Sequence, residues 1–181
     1  MKVIFVYGST RPNSVSQKLL DKLAAQVQAQ GHTVVKYDLG SMALEGCRGC
    51  GACRKGGCDC VREDGLKPYF AHLWTADAVV VSAPMYMGQA AGQNITFMNR
   101  HYCLKDKDKQ NRLPAGKRVH VLFAQGAPAD YPAYQAAQDW YMNSLVRYGF
   151  LPGTKLVVGG DSDLSENGPV LQKLLELSKT L

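Results

Sequence analysis

The sequence predicts an α/β fold, a doubly wound, five-stranded parallel sheet with helices on both faces. Continuous apolar runs at Val3–Val6, Val79–Val81, Val121–Phe123 with Val119, and Leu156–Val158 are the first observation. Runs of this kind suit strands buried on both faces. Segments of helical spacing lie between them, which is the second: Val15–Gln30, Leu66–Ala76, Asn94–Leu104, Tyr134–Tyr148 and Val170–Leu181. The third is the strict alternation of strand and helix, which requires right-handed crossovers and hence a parallel sheet. A chain of 181 residues, 46% of them hydrophobic, is long enough for one core. A single domain over residues 1–181 is expected.

The first strand, Val3–Val6, leads into a short loop, and Ser14 and Gln17 form the S-x-x-Q pattern that starts a helix. Leu19, Leu20, Leu23 and Val27 then supply the buried stripe of that helix. Val34 and Val35, within His32–Asp38, make a weaker second strand. The longest irregular stretches are the cysteine-rich loop 46–62 and Lys105–Gly116, and loops of such length in a compact domain usually carry function or motion. A dinucleotide fold requires G-x-G-x-x-G after the first strand, whereas residues 8–14 read Gly-Ser-Thr-Arg-Pro-Asn-Ser. No phosphate loop of the G-x-x-x-x-G-K-[ST] type follows a strand either. The flavodoxin-like strand order 2-1-3-4-5 is therefore expected, with its ligand beyond the ends of the first and third strands.

The net charge of +6 favours anionic ligands or an acidic redox partner through long-range attraction. It does not argue for nucleic acid, since the most basic stretch, Lys105–Arg112, is interrupted by Asp106 and Asp108 and carries no aromatic ring. No apolar run approaches the roughly 18 residues of a membrane span, and no signal peptide is recognisable, so a soluble, cytoplasmic protein is expected. The histidines His32, His72, His101 and His120 are scattered and make no metal-ligand spacing. Cys103 is read as a buried small hydrophobe. Asn94-Ile95-Thr96 is disregarded as a glycosylation site, and Asp161–Glu166 lacks the glycine a calcium loop requires.

The first loop has the chemistry of a phosphate site. Free N–H groups and the dipole at a helix N-terminus favour an anion. Ser9, Ser14 and Ser16 add hydroxyl donors, and Arg11 adds a charged one. The pattern G-S-x-R-x-x-S-x-S resembles the FMN phosphate loop of the NADPH-dependent FMN reductase group within the flavodoxin-like superfamily. That resemblance implies that Ser9, Arg11, Asn13, Ser14, Val15 and Ser16 bind FMN. It extends to Ala83, Pro84, Met85, Tyr86, Met87 and Gly88, similar to the S-P-x-Y segment lining the flavin ring, and to Gln125, Gly126 and Ala127, similar to a T-x-G segment with Gln125 in place of threonine. An apolar wall and a few hydrogen-bond partners are what a flavin ring needs.

Cys47-x2-Cys50-x2-Cys53-x4-Cys58, followed by Asp59 and Cys60, resembles the compact ligand run of ferredoxins. It also resembles the motif of the iron–sulfur flavoproteins, a branch of the same family that carries a [4Fe–4S] cluster beside FMN. Arg48, Arg54, Lys55 and Arg62 are expected to offset thiolate charge. Cys58 is favoured as the fourth ligand on spacing, with Cys60 as the alternative; metal-free cysteines and a zinc site are the other readings. The resemblance implies an FMN-dependent oxidoreductase with flavin-centred chemistry and no side-chain catalyst, NAD(P)H as electron donor, ferredoxin or another redox partner, and a homodimer or homotetramer. A cluster-free NAD(P)H-dependent FMN or quinone reductase is one rival. A non-enzymatic electron carrier supplied by ferredoxin is another.

Overall fold

The computed structural model describes residues 1–181. Five long strands, β1 (Lys2–Tyr7), β2 (Thr33–Asp38), β3 (Ala78–Tyr86), β5 (Arg118–Ala124) and β6 (Leu151–Val158), pair in parallel in the order β2-β1-β3-β5-β6. A two-residue strand, β4 (Gln89–Ala90), folds back antiparallel on the end of β3. Without β4 this is the predicted order of five. The chain crosses from β1 to β2 on one side and from β2 back past β1 to β3 on the other, so the order reverses between β1 and β3. Their C-terminal ends diverge there and leave a crevice.

Strand alternation divides the apolar side chains between two cores. Val3, Phe5, Ala78, Val80, Leu122 and Val158 pack against α1 (Val15–Ala29) and α6 (Pro169–Thr180). Ile4, Val6, Val79, Val81, Val121 and Phe123 face α3 (Lys67–Leu73), α4 (Gly92–Arg100) and α5 (Pro132–Val146). The continuous apolar runs of the sequence follow from this double coverage.

Three features differ from the sequence expectation. The helix predicted over Asn94–Leu104 is α4 followed by a 3-10 turn, His101–Leu104. The cysteine-rich loop, expected to be irregular, holds a short helix, α2 (Ala52–Gly56), capped at both ends by glycines in the left-handed conformation, Gly51 and Gly57. The strand β3 also runs on through Pro84-Met85-Tyr86, where a loop was expected. Pro84 lacks the N–H that interior strands use, yet it sits opposite Ala124, and its carbonyl accepts from the Ala91 amide at 2.8 Å.

An aromatic cluster centred on Tyr69 fills the core beneath α3 and α4. His101 donates from Nδ1 to the Phe97 carbonyl (2.9 Å), which leaves Nε2 to accept from the Tyr69 hydroxyl at 2.8 Å. On β5, His120 Nδ1 accepts from the Thr154 amide at 2.9 Å. Burial holds both imidazoles down at about 4, with Arg118 adding to the effect at His120. Both are neutral in the folded chain but protonate in the unfolded chain below about pH 6.5. The unfolded state then binds more protons between about pH 6.5 and 4, and stability falls as pH falls through that window. Urea melts at pH 6.5 and 5.0 are expected to differ by about 2 kcal/mol for each histidine. His120→Asn keeps an acceptor for Thr154 and should remove one histidine's share; an unchanged pH slope would contradict this.

Candidate functional site

The loop joining β1 to α1 is held by its surroundings before any ligand is considered. Gly8 donates to Ser82 Oγ at 3.1 Å, and Asn94 Nδ2 donates to the Ser82 carbonyl at 2.9 Å. A side chain at Gly8 would overlap both the Ser82 carbonyl and the Asn94 carboxamide, so this close approach admits only glycine. Asn94 is wholly buried, and its Oδ1 has no hydrogen-bond partner. Nothing in the sequence marked Asn94 beyond a glycosylation pattern, because its importance comes from contact between three elements distant along the chain.

Ser14 caps α1 as its pattern predicts: its Oγ accepts from the Gln17 amide at 3.2 Å. Gln17 Oε1 reaches back to the Asn13 amide at 3.1 Å, one residue earlier than in the usual reciprocal box. Asn13 itself is left-handed, with φ of 57°. Ser14 Oγ and Ser16 Oγ lie 3.2 Å apart, Ser9 Oγ accepts from the Arg11 amide, and Arg11 projects into solvent. The amides of Val15 and Ser16 begin the helix and have no intrahelical acceptor by position. The expected donors of the first loop thus gather round one helix N-terminus, which fits a phosphate.

The other two segments divide. Ala83 and Met85 point into the α3–α5 core, while Tyr86, Met87 and Gly88 reach the crevice. Met87 and Gly88, with φ of 50° and 77°, form a two-residue hairpin turn between Tyr86 and Gln89, and Met87 is almost wholly exposed. Gln125 is turned inward. Its Nε2 donates to the Pro128 carbonyl (2.6 Å) and its Oε1 accepts from Gln138 (2.8 Å), so its side chain braces the loop after β5. Gly126 borders open space, with no atom within 4 Å of where a Cβ would stand. Ser9–Ser16, Tyr86–Gly88 and Gly126–Ala127 therefore surround one crevice at the C-terminal ends of β1, β3 and β5.

Residues 1–146 match the model of the family described as NADPH-dependent FMN reductase. The chain belongs to the NADPH-dependent FMN reductase family. Among relatives of this FMN reductase family member is an iron-sulfur flavoprotein of Archaeoglobus fulgidus, 26% identical over 97% of this chain and 80% of that one. An iron-sulfur flavoprotein of Methanosarcina thermophila is 24% identical over 77% of this chain and 72% of its own length. In structure, the chain is similar over 99% of its length to an NAD(P)H:quinone oxidoreductase from Methanothermobacter marburgensis, with TM-score 0.76, 14% identity and 96% of that chain covered. It is also similar to oxidised flavodoxin 1 from Bacillus cereus, with TM-score 0.65, 13% identity, and 99% and 95% of the two chains covered. These likenesses show a flavodoxin-like fold, and the family makes the chain a flavin-binding oxidoreductase. No helix is long and apolar enough to cross a membrane.

The cysteine-rich loop of this family member lies elsewhere. Its two ends are cinched together: Gly65 donates to the Ala43 carbonyl (2.9 Å), and Asp64 accepts from the Glu45 amide (3.1 Å). Arg100, at the end of α4, donates to the Glu45 carbonyl at 2.7 Å and pairs with Asp64 through both terminal nitrogens. Beyond this knot the loop packs toward the N-terminal end of the sheet. Arg112 donates to the carbonyls of Cys58 (2.7 Å) and Cys103 (2.8 Å), Trp74 donates to Asp59 (3.0 Å), and Arg54 donates to the Asp106 carbonyl (2.8 Å) and the Tyr102 hydroxyl (2.6 Å). The strand β5 alone separates the two ends of the sheet by roughly 20 Å at about 3.3 Å per residue. Within one chain the docked part of the loop therefore lies against the segments that lead into β3 and β5.

Of the cations expected to offset thiolate charge, Arg54 is used in docking and Arg62 pairs with Glu45. The Ala52 amide and then the Arg48 side chain hold the Cys50 thiol below its ordinary value. Cys103 is buried, as its reading as a small hydrophobe implied, and burial pushes its thiol up to about 12. No three cysteine, histidine or acidic side chains stand ready around one metal position. Cys53 is buried, Cys60 half-buried, and Cys47, Cys50 and Cys58 exposed.

Arg11 is exposed and its side chain makes no hydrogen bond or ion pair in the fold, so its replacement tests the phosphate site without disturbing the core. Arg11→Glu is expected to weaken FMN binding at least about tenfold, through loss of one charge-assisted contact and gain of a repulsive one. Fluorescence titration of the apoprotein would measure it, with an unchanged melting temperature as control. Unchanged affinity would place the phosphate elsewhere.

Proposed function

We propose that the protein is an FMN-dependent oxidoreductase of the iron–sulfur flavoprotein type. The observation that carries the reading is the convergence of the Ser9–Ser16 donors, the exposed Tyr86–Gly88 turn and open Gly126 on one crevice, in a chain whose separate loop supplies five thiols. Bound there, FMN would supply exchange of two electrons as hydride or of one at a time. The α1 N-terminal amides, Ser9, Ser14, Ser16 and Arg11 would hold its phosphate. Tyr86, Met87 and the backbone around Gly126 would border the ring, with Ala83 and Met85 supporting that turn from the core. No side chain in the crevice is needed as acid or base.

Cys47, Cys50 and Cys53, with a fourth ligand from Cys58 or Cys60, would hold a [4Fe–4S] cluster. The donor set fits: the thiols come from one loop whose Gly49, Gly51 and Gly57 already adopt positive φ. Loading would require the exposed Cys47 and Cys50 to close over Cys53. The likeness to proteins named iron-sulfur flavoproteins supports this reading. We also propose assembly into a homodimer or homotetramer, in which a cysteine loop of one copy can approach the crevice of another. NAD(P)H and ferredoxin are the proposed electron donors.

The separation of the loop from the crevice, and the dispersed thiols, favour a second reading, a cluster-free NAD(P)H-dependent FMN or quinone reductase. Visible spectra of anaerobically prepared protein separate the two. The first reading predicts FMN in stoichiometric amount, preferred over FAD because the first loop offers no glycine pattern for a pyrophosphate, and broad iron–sulfur absorption that bleaches with reduced ferredoxin or NADPH. Flavin bands alone, bleached fast by NADPH, would select the second. Tighter binding of FAD than of FMN would reject both.

A further inference from the structure

Between α4 and α5 the surface opens into a cavity of about 470 Å³, a size at which proteins hold small molecules. It draws on residues late in both helices and on the 3-10 turn and loop after α4, so it lies away from the crevice at the strand ends. Met98, Tyr102, Trp140 and Tyr148 give it apolar and aromatic walls, and Lys105, Lys109 and Arg147 give it charge.

The charge is one-sided. No acid lines the cavity, and none of its three cations makes an ion pair or a side-chain hydrogen bond. The acids nearest along the chain are committed elsewhere: Asp106 accepts from the amides of Asp108 and Gln110, Asp108 pairs with Lys107, and Asp139 pairs with Lys155. The two amides that Asp106 holds flank Lys109, whose φ of 64° is a left-handed conformation that costs a residue with a Cβ. Three cations around one concavity repel one another until an anion joins them.

The walls are flat and set in advance. Trp140 is 48% exposed, and a ring left half in water forgoes burial that a flat ligand would supply. Tyr102 is fixed from behind, since Arg54 donates to its hydroxyl at 2.6 Å and stands 5.2 Å from its ring centre. Tyr148 stacks on the buried His101, with ring centres 6.3 Å apart at 30°. Ser144 donates back to the Trp140 carbonyl at 2.7 Å, so its proton is already spent within the helix.

We propose that this cavity binds a planar aromatic carboxylate, with its ring against Trp140, Tyr102 and Met98 and its carboxylate on Arg147, Lys105 and Lys109. A guanidinium matches a carboxylate through two parallel hydrogen bonds, and the lysines add point charges beside it. The site is separate from the crevice and depends on neither the flavin nor the cluster reading.

The probe is naphthoate, titrated by calorimetry at low salt into the full chain saturated with FMN, so that the crevice is filled; amide shifts of labelled protein locate it. A dissociation constant below about 1 mM is expected, weakening as salt rises. Neutral naphthamide is expected to bind about tenfold more weakly, and Arg147→Gln and Trp140→Ala to lose about tenfold for naphthoate with unchanged melting temperatures. Absence of binding, or shifts at Tyr86–Gly88 rather than at Tyr102, Trp140 and Arg147, overturns the site. Equal binding of naphthoate and naphthamide overturns its recognition of an anion. A smaller oligomer in Trp140→Ala by light scattering means that a second copy of the chain covers the cavity, which also overturns the proposal. Should the chain take up no FMN, the flavin reading fails by itself, and the same titration of the ligand-free chain still decides this site.

Discussion

Parallel pairing of β1 with β3 is the constraint on which the rest of the molecule depends. Val3–Tyr7 pairs with Ala78–Ser82 in register, and both strands are covered on both faces, so every residue of the pair except Ser82, which holds Gly8 and Asn94, adds to one core or the other. Full burial of a single Val, Ile or Phe contributes about 1.5–3 kcal/mol, so this pair stabilises both cores at once. Because the strands are parallel, the loops that leave them emerge at the same end. Because the order reverses between them, those loops diverge. The crevice, and the α1 N-terminus that opens onto it, are consequences of strand pairing rather than of any local motif.

The same constraint explains the polarity of the molecule. Helices α3, α4 and α5 return antiparallel to the strands, so their C-terminal ends collect at the far end of the sheet from the crevice. The cysteine-rich loop docks there, on the 3-10 turn after α4 and on the segment leading to β5. What fixes it is the buried pair of Arg100 with Asp64, which would be costly to break because either partner alone would leave an unpaired buried charge. A loop that is glycine-rich and largely exposed thus has a rigid base and adaptable thiols. Electrons passing between such a loop and a flavin in the crevice would have to travel the length of the sheet within one chain or take a shorter path between chains.

Strand runs and helical spacing were legible in the sequence because burial on two faces leaves a strong imprint. The capping pattern of Ser14 and Gln17 was legible because it is local. The hairpin at Met87-Gly88 was not, since Met87 carries none of the usual chemistry of a left-handed turn. Gln125 stands in a ligand-binding segment by resemblance, yet its carboxamide is committed to Pro128 and Gln138, contacts that only the folded chain creates. Asp64 and Arg100 lie 36 residues apart and neither announces the other. The distance between cysteine loop and crevice was hidden for the same reason: sequence places Cys47–Cys60 just after β2, whose end borders the crevice, and says nothing of the direction the loop then takes.

The claim most in need of direct measurement is that the flavin occupies the C-terminal ends of β1, β3 and β5. Titration of isotope-labelled apoprotein with FMN, followed by amide chemical shifts, tests it residue by residue. The largest shifts are expected at Ser9–Ser16, Tyr86–Gly88 and Gly126–Ala127, with the paired interior of β1 and β3 little changed. Shifts centred instead on the cavity of about 470 Å³ between α4 and α5, bordered by Met98, Tyr102, Trp140 and Arg147, would contradict the account.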